Sequence, residues 1–322
     1  MTTIERVDIG DEETFGTFYD VYERSHERDI DHPYSAIEKR VGLRPDGYVD
    51  KIALLARDDD GTPVAGGTVE LPLRDNTDFV YVDAFTVPEH RRRGHAGAVI
   101  EAIEEIARDA GRQALYTEVV WELVAVDPVP QAFAEACGFR LDIMDAIREL
   151  ALPAELPPLR VAEGYTIHSW RDVCPDEWVQ GYTELRRLLM EEAPRGDVEL
   201  ENEFWDVART REEEQMWVEQ GRTPQVSIAV SDDGEVVGHT QLVFSAGRES
   251  VFQWDTLVLP THRGHGLGLA LKVTTMQKAA DLLQGRRRII TYNAAGNEPM
   301  IRVNAALGFV QTAWCAEYVK EL

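Results

Sequence analysis

The stretch LPTHRGHGLGLALK, residues 259–272, sets an arginine and three alternating glycines between an extended apolar run and a helical one. Gly264, Gly266 and Gly268 follow Arg263. Glycines let a backbone approach an anion closely and take dihedrals that side chains forbid. A helix that begins there offers unpaired amides and a partial positive charge. The chemistry that fits is the grip of a diphosphate through main-chain nitrogen, while Leu267 and Leu269 face the core. A P-loop needs a lysine and a hydroxyl after its last glycine, and neither is in place. A dinucleotide fingerprint needs glycine or alanine at 269, which is Leu269, and a position after the first strand. A tight turn that needs glycine for packing alone is the other reading.

Two elements must position this turn. SVFQWDTLVL before it is rich in β-branched and aromatic residues and reads as a strand. From Leu267 to about Leu283, apolar residues recur at helical spacing and stop at Gly285, which predicts an amphipathic helix. The strand carries Asp255 between Trp254 and Thr256. An aspartate there is costly unless used or paired, and burial raises its pKa toward that of a useful general base. Strand alternation places residues 253, 255 and 257 on one face. Asp255 is therefore a candidate base, or else a carboxylate that binds a neighbouring loop or marks a bulge. His239, at the start of the preceding strand, is a second candidate or a turn histidine.

The chain states this pattern twice. YVDAFTVPEHRRRGHAGA begins at Tyr81, and QWDTLVLPTHRGHGLGLA begins at Gln253. Asp83 matches Asp255, Pro88 matches Pro260, Arg91 matches Arg263 and Gly94 matches Gly266, each 172 positions apart. The hairpins GTPVAGGTVEL and GEVVGHTQLVF keep the offset, and EACGFRL echoes AALGFVQ at an offset of 170. A constant offset across hairpin, strand and turn predicts a duplicated domain. Between the copies, LALPAELPPLR carries three prolines and reads as an extended linker. The expected division is a first domain over 1–150, a linker over 151–160 and a second domain over 161–322. Each half reads as a mixed α/β domain, a largely antiparallel sheet flanked by helices.

Composition bounds the partners. Asp and Glu outnumber Lys and Arg by 58 to 33, a net charge of −25, which argues against a nucleic-acid partner. No apolar run reaches 18 residues and the N-terminus has no apolar signal core, so no membrane association is expected. Cys137, Cys174 and Cys315 are well separated, as in a reduced cytoplasmic protein. The eight histidines include no HExxH or Cys partner set, so no metal is expected.

Val258, Pro260, Arg263, Gly266 and Gly268, with Asn297, Gly308 and Phe309 further on, resemble the GNAT superfamily of acyl-CoA-dependent N-acyltransferases. Both halves take part, so the chain resembles a tandem GNAT protein of mycothiol-synthase-like arrangement. The resemblance implies a splayed sheet with acetyl-CoA in the gap and its pantetheine beside Leu257, Val258 and Leu259. It implies diphosphate binding by Arg263, Gly264, His265, Gly266, Leu267 and Gly268, with Asn297 nearby. In the first half it implies the same for Arg91, Arg92, Arg93, Gly94, His95, Ala96 and Gly97, with Thr86 in the strand position of Val258. Many members use a tyrosine four residues before the G-F glycine to protonate the thiolate. This chain has Asn304 there in the second half and Ala134 in the first. Asparagine hydrogen-bonds to sulfur but is no acid, which leaves Tyr292 and Tyr318 as substitutes. The first half has Asp127 where the second has Asn297, so the second half is the expected catalyst. The implied activity is acetyl transfer to a primary amine of a small molecule or peptide, in a ternary complex. The alternatives are an acyl-CoA-binding sensor without turnover, or transfer of a longer acyl group or to a hydroxyl. Glu201, Glu203 and Asp206 are candidates to attract the amine, and the arginines of GRRRII, residues 285–290, to reach a CoA phosphate.

Overall fold

The computed structural model describes residues 2–124, 129–192, 196–198 and 200–322. The chain forms two compact units. Unit 1 comprises Met1–Met144, Gly196–Glu201 and Trp314–Leu322; unit 2 comprises Asp145–Arg195 and Asn202–Ala313.

Unit 1 runs β1 (Thr3–Arg6), α1 (Glu12–Ser25), α2 (Ala36–Gly42), β2 (Val49–Arg57), β3 (Pro63–Pro72), β4 (Phe79–Thr86), α3 (His95–Asp109), β5 (Ala114–Glu122) and α4 (Val129–Ala136). Two further strands are β6 (Arg140–Ala151) and, at the end of the chain, β12 (Val310–Glu321). Unit 2 runs β7 (Tyr165–Arg171), α5 (Asp176–Glu192), α6 (Val207–Glu219), β8 (Arg222–Ser231), β9 (Val236–Ser245), β10 (Ser250–Val258), α7 (Leu267–Lys278), α8 (Ala280–Leu283), β11 (Arg288–Ala294) and α9 (Glu298–Leu307). The duplicated order read from the sequence is the order found, a mixed α/β arrangement in each unit. The helix expected over 267–283 is two, divided at Ala279, which caps α7.

The units are not the two sequence halves in full. β6 follows the Gly138–Phe139 pair and β12 follows Gly308–Phe309, so each is the closing strand of its own copy. From Asp145 onward β6 pairs antiparallel with β11 of unit 2, Ala151 facing Arg288 and Asp145 facing Ala294. From Trp314 onward β12 belongs to unit 1, beside β5. The strand order is β1-β2-β3-β4-β5-β12 in unit 1 and β6-β11-β10-β9-β8-β7 in unit 2. The two copies have thus exchanged their last strands.

Helices cover both faces of each sheet because the strands alternate. On β9, Leu242 packs with Val273 and Met276 of α7, whereas Gln241 meets Tyr182 of α5 on the opposite side. On β3, a Cβ at Gly67 would lie 2.7 Å from Val99 of α3, so only glycine lets that helix sit so close.

One feature of the sheets prepares the site. β4 pairs with β5 only over Phe79–Tyr81, and β10 pairs with β11 only over Ser250–Phe252. Beyond those residues the parallel neighbours part, and β4 and β10 each keep one edge without that partner. No helix among the described residues is long and apolar enough to cross a membrane.

Candidate active site

In unit 2 the chain leaves β10 at Val258, makes one tight turn over Pro260–His262, and enters α7 at Leu267. Gly264 and Gly266 have φ of +88° and +73°, the left-handed region that side chains resist. The first bond onto the helix runs from the Ala270 amide to the Gly266 carbonyl at 3.1 Å. The amides before it have no acceptor within the helix, and Gly266 supplies no side chain to cap them. A Cβ built on Gly264 or Gly266 would meet no heavy atom within 4 Å. Crowding therefore does not explain these glycines: the space before the amides is open, as an anion cradle requires. Unit 1 repeats the device with Gly94, φ +90° and equally open, ahead of α3. There Arg92 stands in place of Gly264 and takes φ +64°, at a cost of about 1 kcal/mol.

The side chains around the turns have structural partners. Arg263 donates from Nε to the Val258 carbonyl at 3.0 Å, and Arg91 from Nε to the Thr86 carbonyl at 3.2 Å. Arg91 also donates to Ser25 O and Arg93 to Glu89 O. Arg263 and Arg91 thus tie each turn to the strand before it, and Arg93 braces its own turn. His95 is buried, with its ring 2.9 Å from Thr2 Oγ1, and its pKa is lowered first by that burial. His265 lies against Tyr165 at 5.4 Å between ring centroids. The main chain of Gly264–Gly268 and of Gly94–Gly97 remains the surface offered to an anion.

The free edge of β10 is the second component. The Leu259 amide donates to Val237 O, and Leu257 and Val258 face His239 and Gly238 of β9. Alternation then turns the Val258 N–H and C=O to the other edge, where β11 has parted from the strand; Arg263 takes the carbonyl, and the N–H is the group left for a ligand. Thr86 stands equivalently in unit 1, since the Val87 amide is spent on Val64 O.

The third component is a bulge. Pairing of β10 with β9 runs Val251–Phe244, Phe252–Val243, Gln253–Leu242, then jumps to Thr256–Thr240. Trp254 and Asp255 together occupy one extra place and both project toward α5 and α6. Trp254 lies edge-on to Trp217 of α6, and Asp255 approaches Arg186 of α5. Gln253 does not share their face: it donates to Thr240 Oγ1 on the α7 side, so residues 253 and 255 part company. The unit 1 pairing of β3 with β4 has no such jump, and Asp83 lies opposite Thr68 in regular register.

Asp255 keeps 26% of its side chain exposed. Its Oδ2 accepts from Gln241 Nε2 at 3.2 Å, and Gln241 accepts from the Tyr182 hydroxyl at 3.1 Å. Arg186 Nε lies 3.9 Å away and Arg186 also pairs with Glu213. Burial raises the Asp255 pKa, Arg186 opposes that rise and Glu213 adds to it. His239 is fully buried beneath Tyr182, and neither ring nitrogen has a hydrogen-bond partner. Burial first, then Arg186, lowers its pKa to about 3. It is neutral across the physiological range and buried away from solvent, which favours Asp255 over His239 as the base.

Asn304 is fully buried on α9 and its side chain is occupied on both sides. It accepts from Lys272 Nζ at 2.9 Å and donates to Asn293 Oδ1 at 2.6 Å. Sequence reasoning missed Lys272, which replaces the apolar Ile100 of the first copy; the substitution itself was the available signal. Burial lowers the Lys272 pKa to about 7. Asn297 caps α9 by accepting from the Met300 amide at 3.3 Å. Of the substitute acids, Tyr292 is 38% exposed on β11, while Tyr318 is buried in the unit 1 core with its pKa raised by that burial.

Glu201, Glu203 and Asp206 each have a partner within the chain. Glu201 binds the Asn76 amide in unit 1, Glu203 pairs with Arg209, and Asp206 caps α6. Arg286 donates to Ser245 O and Arg288 pairs with Glu149, so two of the three arginines at 285–290 are held within unit 2. Asp127 lies outside the described residues. No group of three or more His, Cys, Asp or Glu that could hold a metal occurs among the described residues.

An open anion cradle, a free strand edge and a half-buried carboxylate on a bulge define an acyl-transfer scaffold, and comparison agrees. The model of the Acetyltransferase (GNAT) family matches residues 15–139 and again 182–309. The chain belongs to this family and carries its domain in tandem. Among solved structures, a tandem GNAT protein from the clavulanic acid biosynthesis pathway is 26% identical, with a TM-score of 0.83 over 100% of this chain and 98% of that one. A GCN5-related N-acetyltransferase from Sphaerobacter thermophilus is 18% identical, TM-score 0.71, over 99% and 95% of the two chains. A fungal GCN5-related glucosamine N-acetyltransferase region is 13% identical, TM-score 0.69, over 99% of this chain and 38% of that one. At those last two identities the likeness is one of fold. No curated protein matches the chain.

Proposed function

We propose that the protein is an acetyl-CoA-dependent N-acetyltransferase whose chemistry is carried by unit 2. The observation that carries this reading is the bulge, present in β10 and missing from β4, which turns Asp255 toward α5 and α6 a few residues before the free Val258 amide. Acetyl-CoA supplies the acetyl thioester. The amides at the start of α7 hold its diphosphate, and the free edge of β10 orients the pantetheine arm. The Val258 N–H donates to the carbonyl oxygen as charge develops on it. Asp255, directly or through a water, takes the proton from the attacking amine, whose solution pKa near 10 would otherwise keep it charged. The C–N bond forms as the C–S bond breaks and the thiolate departs.

Transfer is direct. A nucleophilic cysteine needs a lowered pKa, whereas burial pushes Cys174 up to about 12 and raises Cys137. The acceptor is a primary amine of a small molecule or peptide.

The test is release of free CoA thiol from acetyl-CoA across a panel of amines. Asp255→Asn is expected to bind acetyl-CoA normally and to lose about 100-fold or more in rate. Full activity in Asp255→Asn removes the carboxylate from the mechanism. The engagement of Asn304 by Lys272, with no phenol at that position, favours one rival: a protein that binds acyl-CoA without turnover. Tight acetyl-CoA binding without thiol release from any amine selects that rival.

A further inference from the structure

Arg186 is an unusual residue to find beside a candidate base. It lies on α5 with 9% of its side chain exposed, and α6 and β10 close around it. Its guanidinium carbon sits 4.4 Å from the Trp205 ring centre, 5.4 Å from that of Trp217 and 5.8 Å from that of Tyr182. Three aromatic faces around one cation leave it little rotational freedom, and the planar guanidinium suits such stacking. Glu213 of α6 pairs with one terminal nitrogen. Nε is buried, makes no hydrogen bond, and lies 3.9 Å from Asp255 Oδ2.

We propose that Arg186 is a positioning residue for Asp255, clamped by Glu213 and an aromatic cage so that its fixed charge sets the carboxylate where Gln241 holds it. This rests on the reading of Asp255 as the base. The ionisable groups facing the carboxylate are Arg186 and Tyr182 from α5 and Glu213 from α6. Gln241 and His239 contribute from β9, the first a neutral amide and the second a neutral imidazole. Burial pushes the carboxyl toward its protonated, inactive form, and Arg186 is the nearby cation that opposes this. Glu213 acts in the other direction on the carboxyl while holding the guanidinium in place. A cation at 3.9 Å instead of in bidentate contact lowers the pKa without occupying the lone pairs that must accept a proton. In unit 1 the position of Trp254 is Val82 and that strand runs without a bulge. There Lys39 stands over the Tyr22 ring at 4.5 Å and interacts with Asp83, a lysine where the second copy has an arginine among tryptophans.

The test follows the Asp255 carboxyl by carbon NMR in the full chain labelled at aspartate, with Asp255→Asn to assign the signal. Arg186→Met is expected to raise its titration midpoint by about one pH unit or more, and Glu213→Gln to lower it. Arg186→Lys keeps the charge and is expected to stay near wild type. Opposite shifts from two neighbours are an electrostatic signature that loss of packing does not produce. They also keep the proposal open to refutation if Arg186→Met fails to fold. With an active amine, the acid limb of kcat/KM is expected to move with the NMR midpoint in each variant, with the KM for acetyl-CoA unchanged. An unmoved midpoint in Arg186→Met or, should that variant not fold, in Glu213→Gln overturns the proposal, whatever Asp255→Asn does to the rate. Shifts in the NMR midpoint with a fully active Asp255→Asn would instead break the base assignment, and the positioning role with it.

Discussion

Gln253 and Asp255, two positions apart on β10, face opposite sides of the sheet: the first bonds Thr240 on the side of α7, the second meets Arg186 of α5. A regular strand would put them on one face. The extra residue at Trp254–Asp255 reverses that parity and brings a tryptophan and a carboxylate out together. The bulge thus turns an ordinary strand into one that can present a base.

The two glycine turns can be separated by mutation. Gly266→Val forces a β-branched residue to φ +73° and projects its side chain into the open space before the amides. It is expected to cost about 1–2 kcal/mol of stability and to abolish acetyl-CoA binding by unit 2. Gly94→Val should do the same for unit 1. Calorimetric stoichiometry in the two variants counts the sites, and retention of full binding in both refutes the cradle.

Lys272 makes stability depend on pH in the alkaline range. Its folded pKa of about 7 lies below the ordinary lysine value of 10.5, so between these the unfolded chain binds the extra proton. Stability therefore rises with pH across that window. The burden of the buried charge is fully present below pH 7 and relieved toward pH 10.5. Relative to wild type, Lys272→Met should gain on the order of a few kcal/mol at pH 6 compared with pH 10. Parallel unfolding curves at both pH values contradict the assignment.

His239 acts at the acid end. Its pKa is about 3 when folded against 6.5 otherwise, so stability falls as pH drops from 6.5 toward 3. His239→Leu is expected to flatten that fall. Urea midpoints at pH 7 and pH 4.5 measure it, and an equal loss in both proteins points to other groups.

Gly181 measures how closely α5 lies on β9. A Cβ there would come within 2.6 Å of Val236 Cγ2 and 2.8 Å of Val236 Cβ. Alanine gains about 1 kcal/mol of helix propensity, but a contact this short against a stiff β-branched side chain costs more. Gly181→Ala is expected to destabilise by about 1–2 kcal/mol net. Coupling with Val236→Gly in a double-mutant cycle should recover most of it.

Much of this was legible in the sequence because it is written in local signals. The repeat, the strand–turn–helix around Gly266 and the hairpins follow from spacing and from residues with restricted dihedrals. What escaped is long-range or depends on a one-residue slip. The bulge leaves no trace in the apolar pattern, so strand alternation alone sets Asp255 on the face of Gln253 and Leu257, which the register jump reverses. Arg263 and Arg91 carry charges that suggest a phosphate, yet their partners are backbone carbonyls five residues back. Asn304 was recognisable as an exception, but its pairing with Lys272 joins residues 32 positions apart on different helices. Arg186 gives no signal in the sequence, because its partners Trp205, Glu213 and Trp217 come from later segments that only folding brings to it.

The exchange of closing strands has a practical corollary for anyone wishing to dissect the molecule. Severing the chain at its proline-rich stretch would not liberate two self-sufficient pieces. The N-terminal piece would present the bare margin of β5, deprived of Trp314–Leu322, and would be prone to self-association. Adding a synthetic peptide of those nine residues in trans should restore its solubility. Duplication here has become irreversible, because each copy now depends on the other for a strand.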